Sequence, residues 1–206
     1  VYTNPDSLDE MLTLMDELIS EHQLTGLVFN DFFLVRALAK RSPDICGHLQ
    51  AVPSVNFALD SVEKVSSLIE YIDDTAFKLP GRVILDRGVN RNLPMLKMIS
   101  EYMRKELPEI ELELLANEGC LSACPFRPSH ESLMAHCNVI PDAVIHRSLS
   151  CESGCLDIFE NNPWKIFASP FIRPEDSDMY LKFADSLKLC GRTLGATRMM
   201  AIVQSY

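Results

Sequence analysis

The sequence lacks the patterns of membrane-spanning and secreted proteins. No apolar run is long enough to cross a bilayer, because charged residues interrupt every long apolar stretch. The first residues, Val1–Pro5, show no basic region followed by an apolar one, so no signal peptide is predicted. An initiating Met is also missing, and we expect residues upstream of this sequence. These features predict a cytoplasmic protein that does not contact a membrane.

Several common catalytic motifs are also absent. The sequence contains no Walker loop, no metalloprotease helix motif and no Ser-His-Asp order.

Basic residues are few: 19 Lys and Arg stand against 29 Asp and Glu, which gives a formal net charge of −10. Because phosphate contacts need a basic surface, this charge argues against broad nucleic-acid binding, although it permits a small basic pocket.

What the sequence does contain is an alternation of short apolar runs with longer amphipathic stretches. The amphipathic stretches have helical spacing and cover Ser7–Glu21, Asp31–Lys40, Ser61–Ile72 and Leu93–Leu107. The apolar runs are typical of strands buried on both faces. They cover Val1–Asn4, Leu24–Asn30, Gly47–Pro53, Arg82–Asp86, Ile110–Ala116, Lys165–Pro170 and Ser186–Gly191. This alternation predicts parallel βαβ units with right-handed crossovers.

The alternation favours an α/β fold of the parallel (β/α) TIM-barrel type. Seven strand candidates are one short of a closed eight-stranded barrel, and a missing N-terminal βα unit would supply the eighth. An open doubly wound sheet is less favoured, because no Gly-rich phosphate fingerprint follows any strand. No linker or low-complexity stretch interrupts the chain. We therefore expect one barrel domain over residues 1–206, incomplete at its N-terminus.

The alternation breaks between Asn117 and Asn162, in a stretch rich in Cys, His, Pro and Ser. A long loop in a compact domain is usually functional, and one that follows a strand lies at the C-terminal face of a barrel. We expect residues 117–162 to form such a loop. It holds five of the seven cysteines, namely Cys120, Cys124, Cys137, Cys151 and Cys155.

These cysteines are candidate metal ligands. An odd number of cysteines without a secretion signal fits poorly with a disulfide framework. Thiolates are soft ligands, and four of them can hold either tetrahedral zinc or a [4Fe–4S] cluster. The two Cys-x-x-x-Cys pairs do not decide between these centres. Cys46 and Cys190, outside the loop, are expected to be reduced thiols packed as small apolar groups.

Polar residues that follow strand candidates are expected to line a substrate pocket. Asp86, Arg87 and Asn90 follow the apolar run Val83–Leu85, and Arg192 ends the last strand candidate. Asp86 is also placed to cap a helix beside a solvated Arg87. Arg173 follows another strand candidate, and the acids after it fit substrate binding or an N-terminal capping role equally well.

Three further residues are candidates for the chemistry itself. Glu118 lies beside the first loop cysteine, where it could transfer a proton or orient the loop. Arg127 and His130 could bind an anionic substrate or donate hydrogen bonds to cluster sulfurs. A peptidase alternative would use Cys120 or Cys124 as nucleophile with His130 as base. A third alternative is a non-enzymatic barrel stabilised by zinc.

The segment Asn117–His130, which reads Asn-Glu-Gly-Cys-x-x-x-Cys-Pro-Phe-Arg-x-x-His, resembles a motif of the collagenase-like peptidase family. Further stretches agree with this family, and they are Ala51–Asn56, Val83–Arg91, Ser169–Asp176 and Leu187–Arg192. The resemblance extends from about Leu24 to the C-terminus.

The resemblance implies a barrel-like fold and a [4Fe–4S] cluster held by four cysteines. By position, Cys120, Cys124 and Cys155 fit best, with the fourth ligand open between Cys137 and Cys151. Relatives of this kind support oxygen-independent hydroxylation of a ubiquinone precursor or a tRNA uridine, and others are described as peptidases. The expected partners are therefore a small-molecule or RNA-base substrate and a redox partner protein.

Overall fold

The computed structural model describes residues 4–139, 144–191 and 194–206. The strand candidate Val1–Asn4 and the substrate-binding candidate Arg192 fall outside this range, apart from Asn4 itself. Among the described residues, no helix has both the length and the apolar character needed to cross a membrane.

Parallel strands alternate with helices along the chain. The strands are β1 (Gly26–Phe29), β2 (Gln50–Pro53), β3 (Arg82–Ile84), β4 (Glu111–Leu115) and β5 (Ser186–Lys188). The helices of the first part are α1 (Pro5–His22), α2 (Phe32–Arg41), α3 (Pro43–Cys46), α4 (Val62–Asp73) and α5 (Leu93–Glu106). Those of the second part are α6 (Arg127–Val139), α7 (Val144–Ser153), α8 (Cys155–Asn161), α9 (Ser177–Tyr180) and α10 (Ala196–Ser205). Short 3₁₀ turns cover Val55–Phe57, Arg87–Arg91, Pro163–Ala168 and Pro174–Asp176.

The strands lie side by side in chain order, and every pairing is parallel. β1 pairs with β2 in one sheet, and β3, β4 and β5 form a second sheet with β4 in the centre. Backbone hydrogen bonds join β2 to the segment that precedes β3, because the Ala51 amide donates to the Lys78 carbonyl at 3.1 Å and the Lys78 amide donates to the Leu49 carbonyl at 2.9 Å. This sequential order is the one that a β/α barrel requires, and closure of a barrel stays a prediction.

The helix patterns predicted from sequence are confirmed, with one change of boundary. Asp31 caps α2 through the Phe33 amide at 2.9 Å, and Ser61 caps α4 through the Lys64 amide at 3.3 Å. The first helix begins at Pro5, where Asn4 accepts a hydrogen bond from the Asp6 amide at 3.0 Å. The helix therefore begins two residues before the predicted Ser7, since Pro5 is well suited to a first helical position.

Two sequence predictions in the second half are wrong. The strand candidate Lys165–Pro170 falls largely in the 3₁₀ turn Pro163–Ala168, with Phe167 84% exposed. A short apolar run cannot be told from a helical turn by periodicity alone, and Pro163 favours the start of such a turn. The region 117–162 is not a long loop, because α6, α7 and α8 occupy much of it. Their apolar periodicity is weak, so the sequence pattern did not show them.

The core lies between the strands and the helices α1, α2, α4 and α5. Its fully buried members include Leu38 on α2, Ile72 on α4, Ile99 on α5 and Leu114 on β4. β4 is the most buried strand, because Leu112 through Leu115 are all buried. Because β4 is the central strand of its sheet, the cysteine-bearing segment begins at the carboxyl end of a central strand.

Replacing Leu114 with Ala should lower the free energy of unfolding by about 2–5 kcal/mol, because a cavity opens in a fully buried strand. Chemical denaturation measures this loss. The control is Leu14→Ala on α1, where the side chain is 53% exposed and a change within about 0.5 kcal/mol is expected. Equal effects at the two positions would contradict the assignment of β4 to the core.

Candidate functional site

A cavity of about 950 Å³ opens where the five described strands end. Asn30 follows β1, Asn56 follows β2 and Arg87 follows β3, and all three line the cavity. The segment after β4 contributes Glu118 and the residues from Cys120 to Cys124, and the end of β5 contributes Lys188 to Gly191. One side of α6, with His130 and Glu131, forms a further wall. Parallel strands present their carboxyl ends at one edge, and this edge is where α/β proteins bind ligands.

Asp86 and Arg127 form a half-buried ion pair between the end of β3 and the start of α6. Asp86 also caps the 3₁₀ turn after β3, accepting from the Gly88 amide at 2.7 Å. Arg127 reaches the Glu131 carboxylate at 2.8 Å and the Val55 carbonyl at 3.3 Å. Neighbouring carboxylates outweigh burial and raise the pKa of Arg127. This pair therefore fixes α6 to two strand ends.

Arg87 connects the ends of β2 and β4. Its Nη2 donates to Asn56 Oδ1 at 3.3 Å, and its Nη1 donates to Cys120 Sγ at 3.2 Å. The same Nη1 lies 2.8 Å from Glu118 Oε2, an ion-pair distance without hydrogen-bond geometry. Only 14% of the Arg87 side chain is exposed. The alternative in which Arg87 is a solvated neighbour of a helix cap is therefore wrong.

Burial has the largest effect on the Cys120 thiol and raises its pKa. The negative charges of Glu118 and Cys124 add to this rise, and the Arg87 guanidinium opposes it. A cysteine nucleophile needs the opposite, a lowered pKa. Cys46, fully buried in the core as predicted, has its pKa raised by burial to about 11.

The predicted cysteine ligands are only partly brought together. Cys120 and Cys124 line the cavity, whereas Cys137 is on α6, Cys151 is exposed on α7 and Cys155 begins α8. The latter three lie outside the cavity lining. Within residues 4–139, 144–191 and 194–206, no group of three or more His, Cys, Asp or Glu side chains is arranged to hold a metal ion.

The donor chemistry thus fits a thiolate-bound centre, but the described geometry does not assemble the four ligands predicted from sequence. Two of the predicted residues, Cys120 and Cys124, line the cavity. No reaction step through an inorganic centre follows from this arrangement.

The other predicted site residues divide into two groups. Asp86, Arg87, Glu118, Arg127 and His130 all line the cavity. Asn90 does not, because its buried amide donates to the Leu115 and Pro170 carbonyls, both at 2.9 Å. Arg173 is exposed and pairs with Asp176 at 2.7 Å, away from the cavity.

Sequence reasoning missed several cavity residues. Asn56 follows β2 and lines the cavity, and it is not among the residues predicted to do so. Lys188 is the last residue of β5, pairs in register with Leu115 of β4 and lines the cavity together with it. Cys190 was expected to pack in the core, yet it is exposed and lines the cavity. A position at or just beyond the end of a strand was the signal available for all three.

We expect Asn90→Ala to act on stability. The substitution leaves two carbonyls without their buried donor, so the free energy of unfolding should fall by about 1–3 kcal/mol. Denaturant titration measures this fall in the free energy of unfolding. The control is Asn161→Ala, because the exposed Asn161 amide donates to Asp157 within its own helix. Unchanged stability together with weaker ligand binding would instead restore the substrate-binding prediction for Asn90.

The raised pKa of Cys120 predicts slow alkylation. At a pH near the ordinary thiol pKa, a smaller fraction of Cys120 is thiolate in the folded protein than in the unfolded protein, so iodoacetamide should react more slowly. The rate should recover as pH rises. Arg87→Met removes the cation that lowers this pKa and should move the profile to still higher pH, whereas Arg173→Met should not. Mass spectrometry of the Cys120 peptide measures the rate.

Comparison with known proteins gives a partial match. No family model matches the chain, and no solved structure matches it. The chain is similar to an uncharacterized protease of Methanocaldococcus jannaschii, with 28% identity over 147 residues that cover 68% of this chain and 41% of that protein. The chain thus spans about two fifths of the length of the curated relative that it matches. What the comparison supports is a relationship to a protein described as a protease of uncharacterized activity.

Proposed function

We propose that this chain is part of an enzyme of the collagenase-like peptidase family, whose substrate binds in the cavity at the strand ends. The reaction proposed is oxygen-independent hydroxylation, or related redox chemistry, on a small molecule or an RNA base. Cys120 and Cys124 would supply two ligands of a [4Fe–4S] cluster. The support from comparison is the archaeal relative, and the support from sequence is the motif Asn117–His130.

One observation carries this proposal: two thiols and a buried guanidinium share one wall of a cavity to which all five described strands point. The Arg87 hydrogen bond to Cys120 is of the kind that sets the potential of a thiolate-bound iron centre. When bound, such a cluster supplies single electrons. The sequence offered Arg127 and His130 as candidates for binding an anionic substrate or for donating to sulfur, and in the structure Arg87 makes a contact of the second kind with Cys120.

The cavity suits a compact polar substrate. A volume of about 950 Å³ is at the upper end of the range for small-molecule sites. Its walls carry both signs of charge, from Asp86, Glu118 and Glu131 and from Arg87, Arg127 and Lys188. A net charge of −10 disfavours long contacts with an RNA backbone, so an RNA substrate would present one base to the cavity.

Glu118 is the residue best placed to move a proton. Its side chain is about one third exposed, at the cavity surface, and its ion pair with Arg87 fixes its position. A positioned carboxylate at hydrogen-bond reach of a bound substrate can act as a general base. Asp86 is already engaged by Arg127 and by the Gly88 amide, which assigns it to holding the cavity wall.

A peptidase is the second candidate. The relative described as a protease favours it, and Cys120, Cys124 and His130 line the same cavity. The raised pKa of Cys120 counts against an activated nucleophile there. Cleavage of a peptide by the pure protein, lost in Cys124→Ser, would support the peptidase. We rank the peptidase below the redox function.

We also propose a reducing, cytoplasmic location for the protein, because exposed thiols such as Cys151 persist in such a compartment.

Anaerobic reconstitution with ferrous iron and sulfide tests the redox proposal. The wild-type chain should bind iron and sulfide in equal amounts and absorb in the visible region. Cys120→Ser and Cys124→Ser should each lose most of both elements, while Cys46→Ala, which changes a core thiol, should keep them. Iron, sulfide and zinc are quantified together, with the peptide-cleavage assay run beside them.

Zinc near one per chain without sulfide would replace the redox function with a zinc-stabilised barrel. A colourless protein without iron, and with no peptide cleavage, would remove both enzymatic candidates.

A further inference from the structure

We propose that the cavity at the strand ends binds a small organic carboxylic acid, and that Lys188 holds its carboxylate. The inference rests on the proposed function in placing the substrate in this cavity, and it names the chemical class of that substrate. Lys188 is the last residue of β5 and lines the cavity. Binding of the acid through Lys188 does not require an inorganic centre.

The cavity lining is cationic, although the chain as a whole is acidic. Four Arg and Lys side chains line the cavity against three Asp and Glu side chains, whereas the chain has 19 Lys and Arg against 29 Asp and Glu. A cleft that concentrates one sign of charge attracts ligands of the opposite sign. The cavity should therefore favour an anionic ligand over a neutral one.

Two arginines of the lining are already neutralised by protein carboxylates. Arg127 forms ion pairs with Asp86 and Glu131, and Arg87 forms one with Glu118. These pairs use all three carboxylates of the lining. The excess positive charge therefore belongs to the remaining two cations, Arg91 and Lys188.

Arg91 is occupied by groups at the rim of the fold. Its Nε donates to the Ser169 carbonyl at 2.6 Å, and its Nη2 donates to the Phe171 carbonyl at 3.0 Å. Arg173 has the largest effect in lowering the pKa of Asp176, and the charge of Arg91 adds to that effect. Asp176 lies outside the cavity lining, so Arg91 serves the segment that follows the 3₁₀ turn.

Lys188 is thus the cation of the lining that is left for a ligand. Among the described residues, no carboxylate lies at ion-pair distance from its ammonium group, and no acceptor takes a hydrogen bond from it. The Ala116 amide donates to the Lys188 carbonyl at 3.0 Å, which fixes the main chain at the end of β5. The exposed ammonium group keeps its three donors for a bound acid.

Asn56 supplies a second donor to the cavity. Arg87 Nη2 donates to Asn56 Oδ1 at 3.3 Å. Because a guanidinium group can only donate, this contact assigns the oxygen of the Asn56 amide to Arg87 and leaves its Nδ2 group to donate. Within the described parts of the chain, that Nδ2 group has no hydrogen-bond partner. A ligand should therefore present acceptor atoms to both Lys188 and Asn56.

The remaining walls favour a carboxylic acid with an apolar body. Apolar side chains of the lining include Val55, Leu115, Leu121, Met134 and Leu189. A phosphate monoester carries a charge of about −1.5 to −2 near pH 7, which one ammonium group does not balance. The net charge of −10 disfavours contacts with an RNA backbone. One carboxylate on an apolar skeleton matches both the single available cation and the walls.

A pair of probes with the same shape and different charge tests this preference. Metal-free protein is titrated with 2-naphthoate and with 2-naphthamide, and binding is followed by fluorescence. Wild-type protein should bind the acid about tenfold more tightly than the amide, and Lys188→Met should remove most of this difference. Lys188→Arg, which keeps the charge, should preserve it. Lys182→Met changes the net charge equally at an exposed position outside the cavity and should have no effect.

A second measurement uses a thiol that is already in the cavity. Iodoacetate and iodoacetamide form the same thioether bond with cysteine, but only iodoacetate is anionic. Cys190 is exposed, lines the cavity and follows Lys188 by two residues. Lys188→Met should lower the ratio of the iodoacetate rate to the iodoacetamide rate at Cys190 by roughly two- to fivefold, the size of an exposed charge interaction. Peptide mass spectrometry measures the ratio, with exposed Cys151 on α7 as internal reference.

The outcomes separate this inference from the proposed function. Equal binding of the two naphthyl probes, no binding of either, or full preference for the acid in folded Lys188→Met would overturn the assignment of Lys188. Displacement of 2-naphthoate by a uridine trinucleotide at similar affinity would assign the positive charge to an RNA phosphodiester instead. Lys188-dependent binding by a chain that takes up no iron would keep this site and remove the redox proposal. Iron uptake with binding that ignores Lys188 would do the reverse.

Discussion

The parallel alignment of the strands is the constraint on which the site depends. Each strand enters the sheet in the same direction, so each connecting segment leaves at the same edge, and residues far apart in sequence meet there. β4 has a central place in this arrangement, because it is buried along most of its length and lies between β3 and β5. The hydrophobic burial of one short strand thus determines where a polar cavity can form.

Charged side chains connect the strand ends to one another and to α6. Asp86 and Arg127 connect β3 to α6, while Arg87 connects the segments after β2 and β4. These side chains are largely withdrawn from water, so each needs its partner, and removing one member of a buried pair generally costs about 3–5 kcal/mol. The same contacts that stabilise the cavity walls also orient Glu118 and Cys120. Stability and site geometry therefore depend on the same few guanidinium groups.

The sequence predicted the first half of the fold and part of the site, for identifiable reasons. Helices such as α2 and α4 have strong apolar periodicity and clear caps at Asp31 and Ser61, so local pattern was sufficient. The helices after β4 have little periodicity, and the region 117–162 was therefore taken for a loop. Cys190 was misplaced because its run of apolar neighbours suggested a buried strand, whereas β5 ends at Lys188 and Cys190 is exposed. The hydrogen bond from Arg87 to Cys120 joins segments that are far apart in sequence, so a local sequence pattern cannot predict it.

The side chain of Asn117 donates to the Cys190 carbonyl at 2.7 Å and accepts from the Cys190 amide at 2.6 Å. Because both hydrogen bonds involve main-chain atoms of Cys190, they have an evolutionary consequence. Any residue other than proline offers the same amide and carbonyl at position 190, so these two contacts do not depend on which side chain stands there. A lineage could therefore exchange the group presented at this position while keeping the architecture around it. Selection on chemistry and selection on folding would act independently at this position, which is how one scaffold can come to serve related proteins with different reactions.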